Sequence, residues 1–302
     1  MKKMLITGAG GFIGRNMINA FHDDYEVTAI YRNHVGKQLD NVKYVRFDLS
    51  CDANKVLDEF PDNYDAILHF GGQVHDSRAI DYIDNTLTTT RNIIQLAKNR
   101  KTSVLIYASS NSLYGYASTE ISEESDRLNP TLYGMSKAFC ERMIEESGVN
   151  YVNLRLPRLL GYEMDYSYPW LPKLAKRLFD NEEIRYFNPG LMYNNLLDIE
   201  DLTSFIRMIL GKSGRLGWTL SLGCDGKMSV LDITSYLREC MNSKSDLVEV
   251  ESKPNTVFAV DISKAKSYGF APTGVKECIA RLADYAMHDL NIIKVGGGVF
   301  IK

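Results

Sequence analysis

Apolar residues in the first half of the chain gather in short unbroken runs closed by polar or glycine clusters. Met4-Leu5-Ile6 stops at a glycine cluster, and Val27-Thr28-Ala29-Ile30, Val42 to Phe47, Asp65 to Phe70, Ser103 to Ala108 and Tyr151 to Arg155 repeat the form. Runs of that length read as strands, and their continuity suits strands covered on both faces. Between them the spacing becomes helical: over Asn16 to His22, over Asn85 to Asn99 (through Leu87, Ile93, Ile94, Leu96 and Ala97), and over Leu132 to Glu146. Alternating strand and helix predict βαβ units, right-handed crossovers and a parallel sheet. The expected fold class is α/β, a Rossmann-type doubly wound parallel sheet.

After Gly161 the pattern changes. Pro157, Pro169, Pro172 and Pro189 punctuate an aromatic, irregular stretch. Helical spacing returns over Glu200 to Leu210 and Val230 to Met241, and a strand over Leu216 to Leu222. This predicts a larger domain over 1–161 with a returning segment at about 195–222, and a smaller lobe, mainly over 162–302. The apolar tail after Gly296 carries no functional reading.

A chain of 302 residues buries a full core without disulfides or metal. The formal net charge of −3 and the absence of a Lys/Arg run give no electrostatic reason to expect nucleic acid or an anionic membrane. Five scattered cysteines without a C-x-x-C pair suit reduced thiols. With no signal-like segment at the start and no apolar run long enough to span a bilayer, a soluble cytoplasmic protein is expected.

Gly8, Gly11 and Gly14 form G-x-x-G-x-x-G between the first strand and the first helix. Glycine lets backbone N–H groups approach a diphosphate, and the helix behind adds its positive end. Placed after the first strand of a βαβ series, the loop predicts a dinucleotide held by Gly8, Gly11, Phe12, Ile13 and Gly14. Many dinucleotide-binding folds carry an acid at the end of the second strand for the ribose hydroxyls; here the residues are Tyr31-Arg32-Asn33. A guanidinium pairs well with a 2′-phosphate, which favours NADP(H) over NAD(H), although Arg32 also reads as an ordinary surface arginine. Asp48 and Leu49, after the third strand, are candidates for the adenine end, with helix capping the plainer role for Asp48.

Tyr133 and Lys137 stand four apart on a predicted helix and so share a face. An ammonium beside a phenol favours the phenolate, which suits acid/base work on a carbinol or ketone. Among the eighteen tyrosines no other has a lysine four residues on. Ser110, ending the fifth strand, could hydrogen-bond the same substrate oxygen.

The glycine loop, Ser109-Ser110-Asn111-Ser112-Leu113-Tyr114-Gly115 and Tyr133-x-x-x-Lys137 together resemble the extended short-chain dehydrogenase/reductase family, in its nucleotide-sugar epimerase/dehydratase/reductase branch. The resemblance implies Ser110, Tyr133 and Lys137 as the catalytic set, and Phe70, Gly71 and Gly72 as a cofactor-contacting segment. It implies a nucleoside-diphosphate sugar as substrate, with His75, Asn111 and Lys253 as candidate contacts. It also implies a homodimer paired through Asn85 to Asn99 and Leu132 to Glu146. Departures accompany it. Arg158 stands where the family usually has Asn, so that asparagine's role is not carried across. Asn194 and Lys253 stand where the family has Arg. Asn111 and Ser112 follow Ser110 where a dehydratase commonly has acids, which disfavours dehydration.

His69 reads as a packed strand-end residue, and the five histidines show no metal-binding spacing. The aromatic stretch Tyr162, Tyr166, Tyr168 and Trp170 suits core or a sugar pocket equally. The expected function is an oxidoreductase-type nucleotide-sugar epimerase (an isomerase) or 4-keto reductase. The alternative is a non-catalytic NADP(H) sensor on the same fold, which has no need of the Ser, Tyr and Lys set.

Overall fold

A computed structural model of the chain describes residues 1–73, 77–116, 120–168, 170–251 and 259–296. In chain order the elements are β1 (Lys2–Thr7), α1 (Phe12–Phe21), β2 (Tyr25–Tyr31), β3 (Lys43–Arg46), α2 (Ala53–Glu59), β4 (Ala66–His69), α3 (Ala79–Tyr82), α4 (Thr89–Asn99), β5 (Val104–Ser110), α5 (Leu132–Glu146), β6 (Tyr151–Leu156) and β7 (Arg158–Leu160). Then follow α6 (Leu171–Phe179), β8 (Ile184–Tyr186), β9 (Met192–Tyr193), β10 (Leu196–Asp198), α7 (Ile199–Leu210), β11 (Trp218–Ser221), β12 (Met228–Ser229), α8 (Val230–Cys240), β13 (Leu247–Glu249), α9 (Ser263–Ser267) and α10 (Val275–Gly296). Two compact units result: Met1–Gly115 with Glu123–Leu156 and Thr203–Ser221, and Tyr116–Ser122 with Pro157–Leu202 and Leu222–Lys302.

The first unit carries a seven-stranded sheet in the order β11-β6-β5-β4-β1-β2-β3, parallel throughout. The chain runs outward from β1 to β3, then crosses back to lay β4 on the other side of β1. The order therefore reverses between β1 and β4, where the glycine loop begins. Every residue of β4 and β5 is buried, as continuous apolar runs require, whereas the edge strand β3 is part-exposed and charged. Leu5, Ile67, Leu105 and Tyr107 meet Ile93 and Leu96 of α4 and Cys140 and Ile144 of α5 in one core.

The expected helix over Asn85 to Asn99 starts earlier, at Ala79, and passes through a π-helical turn at Ile83–Thr88 before α4. The Thr89 hydroxyl donates to the Asn85 carbonyl at 2.6 Å. That carbonyl is the one the Thr89 N–H would take in a regular α-turn, so the hydroxyl competes with the ladder. Helix α5 starts where the sequence predicts because Thr131 caps it, accepting from Gly134 N at 3.2 Å.

A buried polar cluster pins α5 to the sheet. Glu141 is 1% exposed. Arg155 of β6 grips it with two bonds, Nε to Oε1 at 3.0 Å and Nη2 to Oε2 at 2.9 Å, and Ser109 of β5 donates to Oε1 at 2.5 Å. Arg155 Nη1 also donates to the Tyr114 hydroxyl at 2.6 Å, and that hydroxyl meets Ser221 Oγ at 2.9 Å. Bidentate geometry and added hydrogen bonds are what let a buried ion pair offset its desolvation; removing one partner strands the other at about 3–5 kcal/mol.

The second unit has three two-stranded pairs, β7 with β10, β9 with β12 and β8 with β13, beside packed helices α6, α8 and α10. The stretch read as irregular contains α6. Pro172 lies in its first turn, where a missing N–H costs nothing. Helix α10 continues to Gly296, so no break precedes that glycine, and the tail beyond lies outside the described residues. Among the described residues no helix is long and apolar enough to cross a membrane.

Candidate functional site

The glycine loop needs glycine for room. A Cβ built at Gly14 would stand 2.2 Å from the Gly8 carbonyl oxygen, and one at Gly8, whose φ is +72°, would stand 2.9 Å from Gly71 N. The loops after β1 and β4 thus touch backbone to backbone, which brings Gly8 beside Phe70 and Gly71. Gly11 caps α1 with no side chain to satisfy the first-turn N–H groups of Phe12, Ile13 and Gly14, and no acid occupies that turn. An uncapped helix start facing a glycine loop fits a diphosphate.

Beneath this floor lies a relay that sequence reasoning missed. Gly71 N donates to Thr7 Oγ1 at 2.9 Å. Thr7 Oγ1 meets His69 Nδ1 at 2.7 Å, and His69 Nε2 meets Thr90 Oγ1 at 3.1 Å. Both ring nitrogens are therefore engaged by threonine hydroxyls, and Thr7 Oγ1 joins the ring to the Gly71 backbone. Burial, then the charge of Lys137, pulls the His69 imidazole down from 6.5 to about 3, so the ring is neutral. The strand-end packing expected for His69 holds, with a further role: it sets the Gly71 backbone. Polar residues inside an apolar run (Thr7, His69) were the available signal.

At the end of β5, two contacts flank Ser110. Lys137, 5% exposed, donates to the Ala108 carbonyl at 2.8 Å. A Cβ at Gly134 would stand 2.4 Å from the Ser112 carbonyl oxygen, so only glycine lets the first turn of α5 close on that turn. Tyr133 and Lys137 are thereby held along the strand end that carries Ser110. Lys137 Nζ stands 5.7 Å from the Tyr133 ring centroid and 4.9 Å from that of Tyr107. Ser110 Oγ accepts from Ser112 N at 3.1 Å, a bond that does not use its own proton. A Cβ at Gly72 would stand 3.8 Å from Lys137 Nζ, so the β4 loop reaches the same place. Asn111 is buried in the turn that follows Ser110.

The ends of β2 and β3 form the other border. Arg32 is exposed, and its Nη1 donates to Asn85 Oδ1 on the π-helical turn, whose Nδ2 donates to Gln73 Oε1 at 3.4 Å. Asp48 does not cap a helix. It accepts from Ser50 N at 2.9 Å and Ser50 Oγ at 2.7 Å, while Asp52 caps α2. Partial burial pushes the Asp48 carboxyl up, but the Ser50 bonds and the Arg32 charge outweigh it and hold the group below its usual range. Leu49 is buried, its carbonyl held by Asn92 Nδ2 at 2.8 Å. His75 and Lys253 lie outside the described residues.

The fold is a Rossmann-type parallel sheet, with Tyr133, Lys137 and Ser110 held along one strand end. The chain belongs to the NAD dependent epimerase/dehydratase family, whose model matches residues 4–223. It is 26% identical over 300 residues to the dTDP-D-glucose 4,6-dehydratase of Bos taurus, covering 89% of this chain and 83% of that one. Its fold is similar to that of the UDP-N-acetylglucosamine 4-epimerase from Methanobrevibacter ruminantium, with TM-score 0.81, 19% identity, and 95% and 98% of the two chains covered. It is similar also to that of the UDP-glucuronic acid 4-epimerase from Bacillus cereus, solved with NAD, with TM-score 0.79, 21% identity, and 95% and 99% covered.

The His69 relay predicts a pH dependence. The folded-state value lies below the unfolded one, so the unfolded chain takes up a proton that the folded chain refuses as pH falls from 6.5 toward 3. The contribution is whole above 6.5 and is lost below it, by about 2 kcal/mol between pH 7 and 5. Urea unfolding of wild type and His69→Gln across that range should show the wild type losing that much more. Parallel slopes would refute the assignment.

Proposed function

We propose that the protein is an NAD(P)-dependent nucleotide-sugar epimerase or 4-keto reductase, which interconverts carbinol and ketone on a nucleoside-diphosphate sugar. The observation that carries this reading is the pinning of α5 to both sides of Ser110, with Lys137 beneath Tyr133. When bound at the glycine loop, a nicotinamide dinucleotide supplies the hydride acceptor and donor. The first-turn N–H groups of α1 hold its diphosphate. Tyr133 takes the proton of the sugar hydroxyl at its phenolic oxygen and returns it to the ketone oxygen. Lys137 stands beside the Tyr133 ring, and the Ser110 hydroxyl holds the same substrate oxygen in place.

An epimerase ends each cycle with no net change in its cofactor, whereas a reductase consumes one reduced cofactor per product. The solved 4-epimerases of like fold support the first. Arg32 supports the second, because a 2′-phosphate suits a dissociating NADPH donor. A pure sensor would have no use for the Tyr133, Lys137 and Ser110 set. We further propose a homodimer. Leu132, Met135 and Phe139 are 49%, 54% and 56% exposed and recur at helical spacing on α5, an apolar stripe suited to a partner.

Three measurements test these points. Tyr133→Phe should lower kcat at least about a hundredfold with cofactor binding retained; turnover near the wild-type rate on a nucleotide-sugar panel would sink the mechanism. Titration should show NADPH binding more tightly than NADH, with Arg32→Asp reversing the order; equal affinities in the wild type remove the role given to Arg32. Sedimentation equilibrium should give a dimer that Phe139→Glu dissociates, and a wild-type monomer would end the proposal.

A further inference from the structure

The aromatic stretch after β7 divides in two. Tyr162 packs edge-on to Tyr285 with centroids 4.6 Å apart, and buried Tyr166 donates to Asp289 at 3.0 Å, so both serve packing against α10. Tyr168 and Trp170 are placed differently. The Arg158 guanidinium carbon lies 4.6 Å from the Tyr168 ring centroid, and Trp170 meets Tyr193 edge-on at 4.4 Å. Burial pushes the Tyr193 phenol up and the Arg158 charge pulls it part of the way back, so the cation is felt at that ring too. Trp170 holds φ +67° at the cap of α6, a conformation that bulky residues avoid and that persists where the surroundings impose it.

Arg158 is half-buried, and among the described residues its guanidinium has no carboxylate within ion-pair distance and donates no hydrogen bond. Other arginines of this unit are engaged: Arg177 with Glu182, Arg185 with Glu183, and Arg281 with Asp198 and Glu277. Asn194 is consumed, donating to the Cys224 and Val260 carbonyls at 3.1 and 2.9 Å and accepting from Val260 N at 2.7 Å. A guanidinium drawn partly out of water with its donors unspent is a site for an anion, and a supporting ring orients its plane while leaving the edges open. Arg158 also follows the carboxyl end of β6 by two residues, and carboxyl ends of parallel strands are where ligands bind.

We propose that Arg158, seated on Tyr168, is the anion-recognising residue of the substrate site and takes a carboxylate or phosphate of the nucleotide sugar through paired N–H bonds. This rests on the nucleotide-sugar reading above. The test is calorimetric titration of the full chain with UDP, UDP-glucose and UDP-glucuronic acid, using wild type, Arg158→Lys and Arg158→Gln, with the Tm of each as a folding control. Arg158→Gln should weaken binding about tenfold or more. Loss confined to UDP-glucuronic acid assigns the sugar carboxylate, and equal loss for all three assigns the diphosphate. Arg158→Lys should fall between, keeping the charge without the fork. Unchanged affinities in a variant of wild-type Tm overturn the proposal alone. A wild-type chain that binds none of the probes overturns the nucleotide-sugar reading, and this proposal with it.

Discussion

A buried ammonium held against a strand end is the contact on which the rest of the site depends. Lys137 is almost wholly removed from water, and the Ala108 carbonyl is the backbone partner that takes one of its protons. The desolvation of that charge is tolerable only where acceptors are fixed in advance. Glu141, one turn further along α5, fixes the helix through Arg155 and Ser109, and Ser109 is the neighbour of Ser110. One carboxylate therefore ties together the strand and the helix that carry the three proposed catalytic side chains. Misplacement of either element would separate groups that must meet on one substrate oxygen.

The cofactor side rests on a different constraint, the absence of side chains. Gly8 and Gly14 permit carbonyl and amide groups of adjacent loops to approach to distances no Cβ would allow. The neutral His69 relay then fixes Gly71 from below. Close backbone approach leaves the start of α1 open, and the same closeness carries the β4 loop to Lys137. The two halves of the site share that boundary, and His69 shows the link, since the Lys137 charge helps keep its ring unprotonated.

Much of this was legible in the chain. Continuous apolar runs marked β1, β2, β4, β5 and β6, and α5 begins and ends where its spacing predicts. The glycine loop and the four-residue step from Tyr133 to Lys137 were local patterns and were readable as such. What escaped was set by partners distant in sequence. The helix Leu171–Phe179 was hidden because a proline in a first turn looks the same in sequence as one that ends an element. Asp48 was open to two roles until Ser50 and Asp52 divided them. Arg158 read as a departure from a motif, and that its guanidinium is unspent among the described residues is a fact of its surroundings.

By itself, then, the sequence determined whatever depends on spacing along a few turns: strand runs, a glycine turn, and a phenol and an amine on one helix face. Those follow from backbone geometry, which is the same in every chain. Only the tertiary structure decided which polar groups spend their hydrogen bonds on the fold and which keep them for a ligand. Glu141, Arg155, His69 and Asn194 are consumed, while the Arg158 guanidinium spends no hydrogen bond among the described residues. That division depends on pairings across tens of residues in a low-dielectric interior, where a partner a few ångströms away decides the cost of burial.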